Sequence, residues 1–112
     1  MPMIEKPADW FDKILPETVA EHPEKIAGFN GTIAFNISGD LGGEWAVTIN
    51  EGKVEVRKEV APDASFSVKI KDVNFIKMMN GELSGPNAFM TGRLKFKGEI
   101  SQAMKLRGLL FS

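Results

Sequence analysis

Four times between Thr32 and Ile70 the chain puts an apolar residue at every second position, and that period of two commits the middle of the molecule to strands. Ile33, Phe35 and Ile37 share one face, opposed by Thr32, Ala34 and Asn36. Gly39-Asp40-Leu41-Gly42-Gly43 is turn chemistry. The next segment sets Trp45, Val47 and Ile49 against Ala46 and Thr48, and Asn50-Glu51-Gly52 reads as a hairpin. Val54 and Val56 then alternate with Lys53, Glu55 and Arg57. After a turn at Ala61-Pro62-Asp63-Ala64, Phe66, Val68 and Ile70 oppose Ser65, Ser67, Lys69 and Lys71. Consecutive alternating segments with short connections predict a four-stranded antiparallel meander with one wet face.

The flanks carry helical spacing. Pro7-Ala8-Asp9 opens a stretch with Trp10, Phe11, Ile14, Leu15 and Val19 apolar, and Pro16 suits a first helical position, so one broken helix or two short ones are expected. A short helix is expected from Pro23 to Ala27, stopped by Gly28. Asp72 is a candidate N-cap for a helix containing Val73, Phe75, Ile76, Met78 and Met79, with Gly81 as its stop. Ser84-Gly85-Pro86 reads as a loop, Ala88-Phe89-Met90 as a helical turn running into Gly92. Leu94 and Phe96 alternate with Arg93, Lys95 and Lys97 as a fifth strand. Beyond Gly98 the period changes again. Ile100, Ala103, Met104 and Arg107 lie on one side of a last helix, and Leu106, Leu109 and Leu110 widen its apolar stripe. Residues 1–112 therefore read as one α+β domain, a five-stranded, mostly antiparallel sheet with helices covering one face.

Several function classes are disfavoured. A formal net charge of -1 lacks the basic excess of nucleic-acid binding. With no cysteine, there is no disulfide, thiol catalysis or zinc–thiolate site. His22 is the sole histidine, so neither a histidine metal cluster nor a triad can be assembled within one chain. Asp9, Asp12, Glu17, Glu21 and Glu24 recur at helical spacing as a solvated face, and Ser65, Ser67 and Ser84 have no base placed beside them by any motif. Gly39 to Gly43 has neither the spacing nor the following helix of a phosphate-binding loop. The expectation is a protein that is not an enzyme and uses neither cofactor nor metal. The start, Met1-Pro2-Met3-Ile4-Glu5-Lys6-Pro7, lacks the apolar run of a signal peptide, and no run is long enough to span a bilayer, which points to the cytoplasm.

The apolar inventory contains six methionines and eight phenylalanines, and Met78, Met79, Phe89, Met90 and Met104 fall in or beside the late helical segments. Methionine is unbranched and polarizable, so it adapts to variable apolar partners. Arg93, Lys95, Lys97, Lys105 and Arg107 cluster late in the chain against Glu99 alone. They read as the outward face of a strand and helix, or as a patch for an anionic membrane surface.

Gly92-Arg93-Leu94-Lys95-Phe96-Lys97-Gly98, preceded by Ala88-Phe89-Met90 and followed by Ala103-Met104-Lys105-Leu106, resembles the C-terminal signature of the sterol carrier protein type 2 family. Ala64-Ser65-Phe66-Ser67-Val68 is similar to that family's fourth strand, and Asp72 with Phe75, Met78, Met79 and Gly81 to its Asp-begun helix. The resemblance runs from about Phe29 to the C-terminus. It implies a curved five-stranded sheet and helices enclosing an apolar tunnel that holds fatty acids, fatty acyl thioesters or sterol-like lipids without transforming them. Carried onto this chain, the tunnel would be lined by Phe35, Trp45, Val47, Ile49, Val68 and Ile70 from the strands. Its lid side would be Phe75, Met78, Met79, Phe89, Met104, Leu106 and Leu109, with Leu94 and Phe96 from the fifth strand.

An empty lipid-sized tunnel of about 300–500 Å³ would cost on the order of 7–12 kcal/mol, close to the whole stability of a domain. Such a protein either holds a ligand or closes when empty. A carrier or buffer of lipid is the leading expectation, and the same domain could present an acyl chain to a separate enzyme. The alternative is an interaction domain whose Phe35, Phe75, Phe89 and Phe96 plug the tunnel and which docks to a partner enzyme. Monomer and dimer both remain open.

Overall fold

The structure, a computed structural model, describes residues 3–98 and 100–110; of Ile100, Gln102, Ala103, Arg107 and Leu110 only the backbone is described. The alternating segments form the strands β1 (Gly31–Ser38), β2 (Gly43–Asn50), β3 (Lys53–Arg57), β4 (Phe66–Lys71) and β5 (Leu94–Gly98). Their spatial order is β3-β2-β1-β4-β5, with β1 and β4 parallel and every other neighbouring pair antiparallel. The register gathers the apolar sets on one face. Phe35 lies beside Trp45 and Val68, Val68 beside Phe96, and Ile70 beside both Ile37 and Leu94.

The expected four-stranded meander stops after β3. Instead of pairing with β3, β4 lies beside β1 and runs parallel to it. Alternation fixes which face a residue takes but not which strand its neighbour will be. Residues 58–65 connect Arg57 to Phe66, and eight residues can extend about 26–29 Å. Three strand spacings need only about 14 Å, so the chain has ample length to pass β2 and β1.

The N-terminal helical stretch is continuous. It comprises α1 (Pro7–Asp9), a π-helical turn over Trp10–Ile14, and α2 (Leu15–Glu21). Pro16 has no N–H to give and its ring would meet the carbonyl four residues back. The Leu15 N–H instead reaches the Trp10 carbonyl five residues back. That wider turn brings Trp10 and Leu15, which are five apart, onto one buried face with Phe11 and Val19. A 3₁₀ turn over Pro23–Ile26 follows, ending before Gly28 as its composition requires. His22 Nδ1 lies 3.1 Å from Glu24 Oε1 in an exposed pair. The hydrogen bond from the backbone at Glu24, then His22, holds the Glu24 carboxyl below its ordinary range.

α3 (Asp72–Met79) and α4 (Gly85–Met90) pack on the apolar face of the sheet. Ser84-Gly85-Pro86 is not a plain loop. The Ser84 hydroxyl accepts the Asn87 N–H at 3.1 Å, and Pro86 occupies the first turn, where its missing donor costs nothing. The last helical segment is two short helices, α5 (Ile100–Lys105) and α6 (Arg107–Leu110), with α6 against the 3₁₀ turn. Leu106 and Leu109 are buried there, whereas Glu99 and the side chains of Ile100, Ala103, Arg107 and Leu110 lie outside the described residues.

Asp72 is the first residue of α3 rather than its N-cap, and its side chain serves a different purpose. The buried carboxylate accepts the Leu41 N–H at 3.0 Å and the Val73 N–H at 2.8 Å, tying the β1–β2 turn to the start of the helix. Gly39 makes this possible: a Cβ at that position would collide with the Asp72 carboxylate. Gly98 ends β5 for a similar reason, because at φ 117° a Cβ would lie 2.8 Å from that of Phe66. Replacing Asp72→Ala removes the shared acceptor of two partly buried N–H groups and should lower unfolding stability by about 1–3 kcal/mol in a urea titration. A loss below about 0.5 kcal/mol would show that the turn is held by something else.

Candidate functional site

The inner layer is built around aromatic rings from four elements. Phe11 of the π turn stacks on Trp45 of β2, centroids 4.5 Å apart at 8°, and on Phe75 of α3 at 5.6 Å and 7°. Phe35 meets Phe11 edge-on at 5.0 Å, and Trp10 meets Phe75 edge-on at 5.7 Å. Offset stacks and edge contacts of this kind add to the burial that already favours them. Neither Trp10 nor Phe11 belongs to the tunnel lining that the resemblance implies. The adjacent pair of large aromatics just after a helix-opening proline was the signal that the first helix enters the core.

Beyond this cluster lies a seam between α3 and the β4–β5 half of the sheet. Phe35, Val68, Phe75, Met78, Met79, Leu94 and Phe96 surround a gap of about 10 Å³, scarcely room for one water. At about 24 cal/mol per Å³ a void this small costs only about 0.2 kcal/mol, so this seam is closed rather than held open. Seven of the fifteen expected lining residues thus meet at one place. Trp45, Val47, Ile49 and Ile70 are buried on the same sheet face but away from the gap, and Leu106 and Leu109 are buried in the C-terminal helices. Phe89 and Met104 are not interior: they are 48% and 52% exposed.

The seam reaches the surface through Phe96. Its half-buried ring lines the gap and stands 5.6 Å from the exposed ring of Phe89, next to Met90, which is 83% exposed. Arg93, Lys95 and Lys97 follow directly along the chain and are exposed, as is Lys105; the Arg107 side chain lies outside the described residues. No group of three or more His, Cys, Asp or Glu among the described residues could hold a metal. No helix among them is long and apolar enough to cross a membrane.

Residues 11–111 match the SCP-2 sterol transfer family. The chain belongs to that family. Its members bind and transfer lipids. Sterol carrier protein 2 of Homo sapiens is 28% identical over 102 residues, covering 88% of this chain and 19% of that protein. The chain spans about a fifth of the length of the curated relatives it matches, 21% and 19% for two of them. Among solved structures, apo sterol carrier protein 2 from Yarrowia lipolytica superposes with a TM-score of 0.64 at 27% identity, over 91% of this chain and 81% of that one. The palmitated SCP2L2 of Aedes aegypti gives a TM-score of 0.73 over 91% and 92% of the two chains, and at 18% identity that likeness is one of fold.

Removing the central ring should be felt throughout this layer. Phe11→Ala is expected to cost about 3–5 kcal/mol in denaturant unfolding followed by tryptophan emission. The emission of the native variant should also shift to the red as Trp45 loses its stacking partner. A loss below about 1 kcal/mol would mean that the helix is not anchored by this ring.

Proposed function

We propose that this chain is a non-enzymatic lipid carrier or buffer, working in the cytoplasm. It takes an acyl chain of a fatty acid or fatty acyl thioester, or a sterol-like body, into the seam between the sheet and α3. The observation that carries this reading is the continuous apolar path from exposed Phe89, through Phe96, to the gap beside Met78 and Met79. Uptake requires the seam to widen. Met78, Met79 and Phe96 are the side chains that yield, since two are unbranched thioethers and the third is only half-buried. A closed apo seam avoids the several kcal/mol that a permanently empty lipid cavity would cost. The apolar molecule carried by the Aedes aegypti neighbour, palmitate, is of the class expected here.

Lipid must also be collected and released. Phe89 and Met90 are exposed at the mouth of the seam and Arg93 follows them along the chain, while Lys95 and Lys97 extend the basic surface onto the other side of the same edge strand. That pairing suits transient contact with an anionic membrane, with Lys105 and Arg107 as further basic contributors. A ligand of roughly twenty heavy atoms at about −0.3 kcal/mol per atom binds with about −6 kcal/mol, in the range of tens of micromolar.

Native mass spectrometry of the purified protein, followed by organic extraction and by titration with palmitate, tests the proposal. One palmitate per chain should bind, and Met79→Phe, which adds bulk to the seam, should weaken it at least tenfold in a variant that thermal unfolding shows to be still folded. A clean apo mass with no uptake of palmitate, palmitoyl thioester or sterol would instead favour a filled-core interaction domain that docks to a partner enzyme.

A further inference from the structure

The larger space lies on the opposite face of the sheet. A groove of about 460 Å³ runs across the outward residues of β1, β2, β4 and β5, bordered by Glu59, Val60 and Ala61 of the crossing segment. Its size is that of a small-molecule site. Small side chains, Ala34 and Ser67, form the floor, and the register sets Lys97 beside Ser67 and Lys95 beside Lys69. On the opposite wall, Glu44 receives the Asn36 amide N–H at 3.2 Å, and Glu59 lies 2.9 Å from Arg57 Nε.

The two carboxylates are therefore engaged, and among the described residues the cations are not. Lys69, Lys95 and Lys97 have no carboxylate partner within 4.0 Å, and the Ser67 hydroxyl has no hydrogen-bond partner, among the described residues. Directly opposed like charges such as Lys69 and Lys95 work against strand pairing, so the fold gains nothing from them. Three donors of positive charge, and a hydroxyl unpartnered among the described residues, at one end of a groove are the complement of an anion.

We propose that this outer groove is a second binding site, separate from the lipid seam, for a small organic anion bearing a phosphate or carboxylate. The acidic group sits among Lys69, Lys95 and Lys97 with Ser67 donating to it, and the body of the ligand lies over Ala34 beside Val60. The charged end tolerates no neutral substitute, whereas the shallow floor accepts a flat ring or a short chain.

The test is an amide NMR titration of the full chain with phenyl phosphate at low ionic strength, with phenol as the uncharged control. Shift changes should gather at Ala34, Val60, Ser67, Lys95 and Lys97, and phenol should produce none there. The double substitution Lys95→Gln with Lys97→Gln should weaken phenyl phosphate at least tenfold without lowering the melting temperature, and Lys53→Gln should have no effect. Saturating the chain with palmitate should leave the phenyl phosphate affinity unchanged, so the two sites succeed or fail independently. Equal binding by the double variant, or shifts scattered over other lysines, would overturn the site. Binding to phosphatidylglycerol vesicles without any binding of phenyl phosphate would overturn it as well, assigning the lysines to a membrane surface alone.

Discussion

The stack of Phe11 on Trp45 and Phe75 is the contact on which the inner layer depends. It joins three elements that are far apart in the chain: the first helical stretch, a central strand and the helix after β4. Phe11 can reach both rings because the π turn ahead of Pro16 puts Trp10, Phe11 and Leu15 on one buried face. The same helical stretch is fastened at its start by Ile4, whose backbone N–H and carbonyl both pair with the Asn80 amide at 2.8 and 3.0 Å. Ring contacts hold this side of the layer, whereas the seam toward β5 closes on the adaptable side chains of Met78 and Met79.

That division gives the protein two unlike regions on one sheet face. Toward Trp45 the packing is ring against ring; toward Phe96 it is methionine and a half-buried phenylalanine leading out to Phe89 and Met90. Rings in offset contact lose much when displaced, whereas thioether side chains exchange partners at small cost. Under the proposed function, an apolar ligand would enter at the second region and leave the ring contacts of the first in place. The outer face follows other rules. There the segment joining β3 to β4 contributes Glu59, Val60 and Ala61 to the border of a groove over the wet face.

Strand positions and facing were readable from residues alone, since a period of two leaves no other choice for Ile33, Phe35 and Ile37 or for Phe66, Val68 and Ile70. The neighbour of β4 was not, because pairing partners at long range leave no local pattern. Asp72 was visible as a helix-start residue, but its link to Leu41 depends on a turn thirty-one positions away. Of the site, the seam residues from α3 and β5 were legible through family resemblance and helical spacing. Trp10 and Phe11 were read as helical and apolar, yet their place against Phe75 required the π turn, which only Pro16 hinted at. The exposure of Phe89 and Met104 was hidden for a simpler reason: a short helix of high apolar content gives no sign of which residues its neighbours leave uncovered.

The most direct test of lipid uptake in the seam is methyl NMR on protein carrying ¹³C-labelled methionine methyls, with and without palmitate. Through-space contacts from the acyl chain to the methyls of Met78 and Met79, with Met90 affected less, are the result this account predicts. Contacts confined to Met90 and Met104, or methionine methyls unchanged while palmitate binds elsewhere, would contradict it.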